Sequence, residues 1–434
     1  MTFLLSKRST KLVTKCSSAV ALPAVALVFF FAPDLHAAGT GLDVQSGRGT
    51  GMAAAVTGMI DDSSSIYYNP AGIAQGQIFD AQIGDSLILP SYELRTSSGT
   101  TTKNLTTLVP PFQAYVSGGI TNHVSLGVGV FTPFGSIVRW PDDWVGRSIV
   151  TSSTLVTYDI NPTIAYRLGP IRLGLGLQIE RGTVDLKKKI ATGSEEASTE
   201  LGADAWGGGA NVGVQVDVVR QYLMLGAQYR SAVKLKFDGN AHFDNVPPEL
   251  QGTLRDQAAS TTLVTPDSAA FALASRPVRA LVVDAEVVWS GWSKFHSIDI
   301  AFPDDASGSL RSSSFLPKNW HDTVNYRIGA ELGIGASWHV RAGVLYDPSP
   351  SPDRTLTPDI PDADRLNLAV GGSYSHSSGV GIDVGYQLIF LLKRSSTAPE
   401  LPGEFQGIAN VLGISLRYRT PTARAAAPDA ADFR

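Results

Sequence analysis

The stretch Val380–Leu388, VGIDVGYQL, alternates without a fault. Val380, Ile382, Val384, Tyr386 and Leu388 fall on one face of an extended chain, and Gly381, Asp383, Gly385 and Gln387 on the other. The same two-faced pattern recurs at Ile171–Ile179 (IRLGLGLQI), Val212–Val216, Leu223–Tyr229, Val340–Val344 and Leu412–Tyr418. In each case aliphatic side chains oppose Gly, Gln, Arg or Asp. These are strands of period two, and the chain repeats them from about Phe79 to Thr420, roughly fourteen in all.

Alternation alone does not separate a soluble sandwich from a membrane barrel, because both have one apolar face. Three further features favour the barrel. Many of the strands run about ten residues or more, the length that crosses a bilayer at a tilt. Aromatic residues stand near strand ends, at Tyr229, Trp289, Trp292, Trp338, Tyr346 and Tyr386, where an interfacial girdle would place them. The first 38 residues read as an export signal: Lys7, Arg8, Lys11 and Lys15 precede the apolar run Ala19–Phe31, and Leu35-His36-Ala37-Ala38 offers small residues for cleavage. The run holds Pro23 and is too short for an anchoring helix. In hydrocarbon an open sheet edge leaves N–H and C=O groups without partners, so the sheet is expected to close. The predicted fold is an all-β transmembrane antiparallel barrel.

Composition excludes several functions. The formal charge of −4, falling to −7 once the signal's four basic residues and Asp34 are removed, gives no field to hold nucleic acid. The single cysteine, Cys16, lies in the export segment after Lys15, a poor context for lipidation, and the mature chain has no thiol for disulfide, metal or nucleophile. The remaining histidines, 123, 242, 296, 321, 339 and 376, show no metal-ligand spacing. Gly47-x-Gly49-x-Gly51 lacks the strand and Gly-Lys-Ser/Thr of a phosphate loop, and no Gly-x-Ser-x-Gly elbow is present. The acidic stretch Asp347–Asp364 lacks the spacing of a Ca²⁺ loop. No enzyme, cofactor or metal is expected.

Residues 39–78 do not suit lipid. They are rich in small residues, through Gly47–Ala55 and Asp61–Ser65, and are expected to form a plug inside the lumen before the barrel, 79–420; a polar tail, 421–434, follows. Asn69-Pro70-Ala71-Gly72 would end the plug in a turn. In the third strand Pro133 interrupts the alternation of Val124, Leu126, Val128 and Val130, which predicts a bulge or break there.

The stretch Gly47-Arg48-Gly49 to Asp61-Asp62, followed by Tyr67-Tyr68-Asn69-Pro70-Ala71-Gly72, resembles the N-terminal hatch of the FadL family of outer-membrane transporters of long-chain fatty acids and other hydrophobic compounds. The resemblance continues in order through Phe131–Gly135, Trp144–Arg147, Ile160–Arg167, Trp206-Gly207, Tyr229–Ser231, Trp289–Phe295, Tyr326–Gly329, Asp347–Pro350 and Ile360–Arg365. It implies a fourteen-stranded barrel in the outer membrane of a Gram-negative bacterium, closed by the hatch, with passive uptake and lateral exit near the third strand. It also implies hatch and gate residues Asn69, Pro70, Ala71 and Pro133 and head-group ligands Lys318, Lys188 and Thr132; the apolar ligand tail is expected against Phe131, Phe134, Trp206 or the 246–263 loop. For Lys188 the residues leave a second reading, since Lys187–Lys189 equally fits a solvated loop charge run. The implied partners are a long-chain fatty acid or similar lipophile, outer-membrane lipid and lipopolysaccharide, and the barrel-assembly machinery, with the chain a monomer. The surface loops 136–150 and 240–262 look short for a deep capture groove, and the chain runs past its last aromatic strand residue. An aromatic-hydrocarbon channel, or a structural or adhesion barrel whose hatch never opens, are the alternatives.

Overall fold

In the computed structural model, residues 39–421 are described, save 107, 194, 221, 306–309 and 311–313. The export segment, and the tail from 422 on, lie outside the described residues. Fourteen antiparallel spans form one closed sheet. They are β1 (Phe79–Thr96), β2 (Phe112–Gly119), β3 (Val124–Phe131, then Gly135–Arg139), β4 (Ser152–Leu168), β5 (Ile171–Ala191), β6 (Glu196–Val219) and β7 (Leu223–Arg230, then Lys234–Asp244). The circuit continues with β8 (Gln257–Val264, then Ser268–Val278), β9 (Leu281–Ser290), β10 (Thr323–Ile334), β11 (Trp338–Asp347), β12 (Arg365–Ser375), β13 (Val380–Ser396) and β14 (Gly403–Arg419). β1 pairs with β14 from Asp80↔Arg419 to Thr96↔Gly403, which removes the sheet edge.

The side-chain distribution is inverted relative to a soluble domain. On β5, Leu177 is 55% exposed while its neighbour Gln178 is 3% exposed. Leu173, Leu175 and Ile179 share the outer face, and Arg172 and Glu180 are buried inside. Only hydrocarbon makes that arrangement stable, because exposed leucines in water would cost about 1.5–3 kcal/mol each. Trp292 departs from the girdle expectation: it is buried inside the barrel, since it follows the end of β9 and its 3₁₀ turn folds inward.

Three spans are interrupted at one height. β3 breaks at Thr132-Pro133-Phe134, β7 at Ser231-Ala232-Val233 and β8 at Thr265-Pro266-Asp267. Below its break β3 pairs with β2 and β4; above it, Gly135–Arg139 pairs with β4 alone. The β7 break bonds the neighbouring wall, Ser231 N to Ala210 O, and the β7 and β8 breaks bond each other, Thr265 N to Val233 O. The loop expected over 240–262 shrinks to 245–256, because the flanking strands run on to Asp244 and from Gln257.

The hatch fills the end of the barrel opposite the long loops. It comprises α1 (Gly47–Thr50), α2 (Ser65–Tyr68) and a 3₁₀ turn (Pro70–Ile73). Ser46 caps α1 through Gly49 N, and Asn69 caps the 3₁₀ turn through Ala71 N, with Pro70 at its first position. Asn69 Nδ2 also donates to Thr57 O and Val214 O, each 3.0 Å, so one amide joins two parts of the hatch to β6. Lumen-facing glycines let the hatch approach. A Cβ on Gly213 would lie 2.1 Å from Asn69 Oδ1, and one on Gly174 2.3 Å from Pro70 C.

Candidate functional site

Above the hatch, inside the barrel, lies a chamber walled by hydrocarbon. One lobe of about 70 Å³ is lined by Leu155, Val184, Leu186, Ala203, Phe295 and Ile360; a second of about 30 Å³ adds Phe134, Leu235 and Trp292. They share Leu155, Leu263, Phe295 and Ile360. Trp320 packs edge-on against both Trp292 and Phe295, with ring centroids 4.9 Å apart in each case. Toward the cell surface a groove of about 370 Å³ meets the first lobe at Leu201 and carries Lys188, Lys189, Phe243 and Phe302. Toward the hatch the second lobe shares Phe134, Pro266 and Trp292 with a polar chamber of about 90 Å³ that holds Asp43, Arg230, Glu286 and Arg327. Shared linings thus connect surface groove, apolar cavity, polar chamber and hatch in series.

The break in β3 borders this series and is dressed by the chain's own N-terminal segment. Leu42 N donates to Pro133 O at 2.9 Å, Gly135 N donates to Thr40 O at 2.9 Å, and Gln45 Nε2 donates to Thr132 O at 2.6 Å. A broken strand leaves backbone groups without ladder partners, and these three bonds supply them. The segment is itself held by Tyr68, whose hydroxyl donates to Asp43 O and accepts from Gln45 N, both at 2.9 Å.

Below, buried charges fix the hatch to the wall. Arg48 meets Glu331 of β10 through two bonds of 3.0 Å, and also Asp61 and Asp62 at 2.7 and 3.0 Å. Burial alone would raise the Asp61 carboxyl, but the Arg48 and Arg419 guanidiniums outweigh it and hold it well below the carboxylate range. Gly58 N donates to Asp284 and Thr57 N to Glu286, both on β9.

The proposed site residues fall in different places. Lys318 is almost wholly buried, with Nζ 2.7 Å from Asp359 Oδ2 and 2.8 Å from Thr357 Oγ1, so it ties the β9–β10 loop to the β11–β12 loop behind the cavity wall. Its partner Asp359 lines the apolar cavity. Lys188 lies in the surface groove, and Thr132 lends its carbonyl to Gln45 while its hydroxyl donates to Phe112 O. Phe134 lines the cavity. Phe131 instead packs under Tyr67 and Tyr115 against the hatch. Trp206 is 61% exposed on the outer face of β6 and does not belong to the cavity, because its parity on the strand turns it to lipid. Asn69, Pro70 and Ala71 sit against β5 and β6, whereas the bonds at Pro133 come from residues 40–45. Sequence reasoning passed over Asp43, Arg230 and Arg327, although the alternation around Tyr229 and Tyr326 places both arginines on the lumen face.

A closed barrel with an apolar chamber over an internal plug is the architecture of an outer-membrane protein that passes hydrophobic compounds. The chain belongs to the outer membrane protein transport protein (OMPP1/FadL/TodX) family, whose model matches residues 28–420. It is 25% identical over 460 residues to the long-chain fatty acid transport protein of Escherichia coli K12, covering 94% of this chain and 98% of the relative. To the protein of the same name from Salmonella typhi it is 24% identical over 446 residues, with the same shares. Among solved structures, a Pseudomonas aeruginosa FadL homologue superposes with a TM-score of 0.78 at 18% identity, over 88% of this chain and 99% of that one. The Pseudomonas putida toluene transporter TodX superposes at 0.67 with 14% identity, over 90% and 100%. These two show the shared fold.

Proposed function

We propose that the chain carries out passive, hatch-gated uptake of long-chain fatty acids, which leave sideways through the break in β3. The observation that carries this reading is the apolar cavity ending at a broken strand whose backbone at Thr132, Pro133 and Gly135 is met by the N-terminal segment 40–45. A lipophile in the cavity lies beside Phe134, the residue after Pro133, so a short shift of residues 40–45 would connect the cavity to the bilayer. The likeness to proteins named for long-chain fatty acid transport supports this substrate class over others.

Locking the segment tests the reading. Gly41 and Phe134 form an isolated antiparallel bridge, and a Cβ on Gly41 would meet nothing within 4 Å. A Gly41→Cys/Phe134→Cys pair should take up labelled oleate more slowly oxidised than reduced; equal uptake in the two redox states would exclude this gate. Aromatic hydrocarbon is the second reading, favoured by a cavity wall whose charged member, Asp359, is already neutralised by Lys318. Competition of toluene against oleate for binding separates the two.

A further inference from the structure

The polar chamber between cavity and hatch contains more than the transport reading requires. Arg327 of β10 is buried, and its Nη2 lies 2.6 Å from Asp43 Oδ2. Its Nε donates to Asn325 Oδ1 at 2.9 Å, its Nη1 to Ala54 O at 3.4 Å, and Glu286 stands 3.5 Å away. Asp43 belongs to the segment that covers the β3 break: the residue before it bonds Pro133 and Gln45 bonds Thr132. We propose that Arg327 is a carboxylate-binding site occupied in the closed protein by Asp43, and that an incoming fatty-acid carboxylate takes Asp43's place and thereby releases the segment from the break. This rests on the fatty-acid reading above and adds to it the residue that recognises the head group.

Three observations support exchange over simple addition. The chamber wall sets three carboxylates, Asp43, Glu286 and Asp347, against the guanidiniums of Arg327 and Arg230, and Arg230 is already paired with Asp159, so a further anion would add to an excess of negative charge while all remain. Replacing one carboxylate with another keeps the guanidinium paired throughout, which avoids leaving a buried charge bare. Asp43 is also the replaceable member: its side chain is 33% exposed, against 5% for Arg327 and 1% for Glu286. The chamber abuts the apolar cavity through Phe134 and Trp292, and that cavity meets the surface groove at Leu201, so a ligand with its head at Arg327 would run its chain along both lobes toward the groove. Lys318, locked to Asp359, is not needed for this role.

The test compares oleate with oleyl alcohol, which share a chain and differ in the charged head. In Asp43→Asn the resident competitor is gone while the Tyr67 contact can persist, so oleate should bind about tenfold tighter and the alcohol unchanged. Arg327→Lys keeps a cation but not the planar fork, and should weaken oleate by about tenfold without affecting the alcohol. A Leu42→Cys reporter, in a chain whose single cysteine Cys16 is replaced by serine, should react with a methanethiosulfonate faster when oleate is added and not when the alcohol is. Parent-like oleate affinity in both variants, or equal acceleration by alcohol and acid, overturns the exchange while parental oleate uptake leaves the transport reading standing. A parent chain that neither binds nor takes up oleate overturns both.

Discussion

Replacing Arg48 with methionine should loosen the hatch and spare the barrel. The guanidinium makes two bonds to Glu331 and one each to Asp61 and Asp62, and its side chain is 9% exposed. Removing one partner of a buried pair costs about 3–5 kcal/mol. Here the lower end applies, because Glu331 keeps Arg341 and Asp62 keeps the Ser64 hydroxyl. A loss of about 3 kcal/mol is roughly a hundredfold rise in the fraction of molecules with the hatch displaced. Hydrogen exchange reads this directly: amides from Gly47 to Ile60 should exchange about a hundredfold faster, and those of β5 and β13 at the parental rate. The double variant Arg48→Met/Asp62→Asn should recover part of the loss, since Asp62 Oδ2 pairs with Arg48 and is no longer left charged, while Glu331 keeps Arg341. Parental exchange across Gly47–Ile60 in Arg48→Met would refute the view that this ion pair holds the hatch to the wall.

Other outcomes follow from single contacts. Gly213→Ala places a methyl group 2.1 Å from Asn69 Oδ1 and should displace the 3₁₀ turn, raising protease sensitivity of the hatch, whereas Gly202→Ala, which meets nothing within 4 Å, serves as the silent control. Lys318→Ala strands buried Asp359 and should destabilise the loops by about 3–5 kcal/mol; the paired replacement Lys318→Met/Asp359→Leu should restore loop protection, and oleate affinity restored with it would show that the lysine is not a head-group ligand. Burial raises the Asp359 carboxyl, but the Lys318 ammonium and hydrogen bonds outweigh it and lower it below its ordinary 3.8. Its contribution is therefore complete above that value and is lost only as pH falls through the lower folded one, so loop proteolysis should be flat from neutral to mildly acid pH and rise in stronger acid. Trp206→Ala should leave oleate affinity unchanged, while Phe295→Ala, which enlarges the cavity wall, should alter it, both read by fluorescence titration.

The strands were readable because each carries its instruction locally: Leu177 and Gln178 report opposite faces within two residues. Pro133 likewise pointed to the β3 break, since a residue without N–H gives up one ladder bond, although Pro90 and Pro162 stand inside β1 and β4 without ending them. Pro266 held the same signal for β8 and was passed over. The site was less legible because its pairings are long-range. Nothing near Lys318 reveals that Asp359 neutralises it, and nothing near Asp43 points to Arg327. Trp206 and Trp292 look alike in sequence; the first is turned outward by strand parity and the second inward by the turn after β9.

The hatch also sets an order on assembly. Its hydrogen-bond partners include Asp80 on the first span, Val214 on the sixth, Asp284 on the ninth, Glu331 on the tenth and Ser415 on the last. Such a set of anchors exists only once the two ends of the sheet have met. The portion synthesised before any strand is thus the portion that can lodge only after every strand, and a lodged hatch certifies a completed circle.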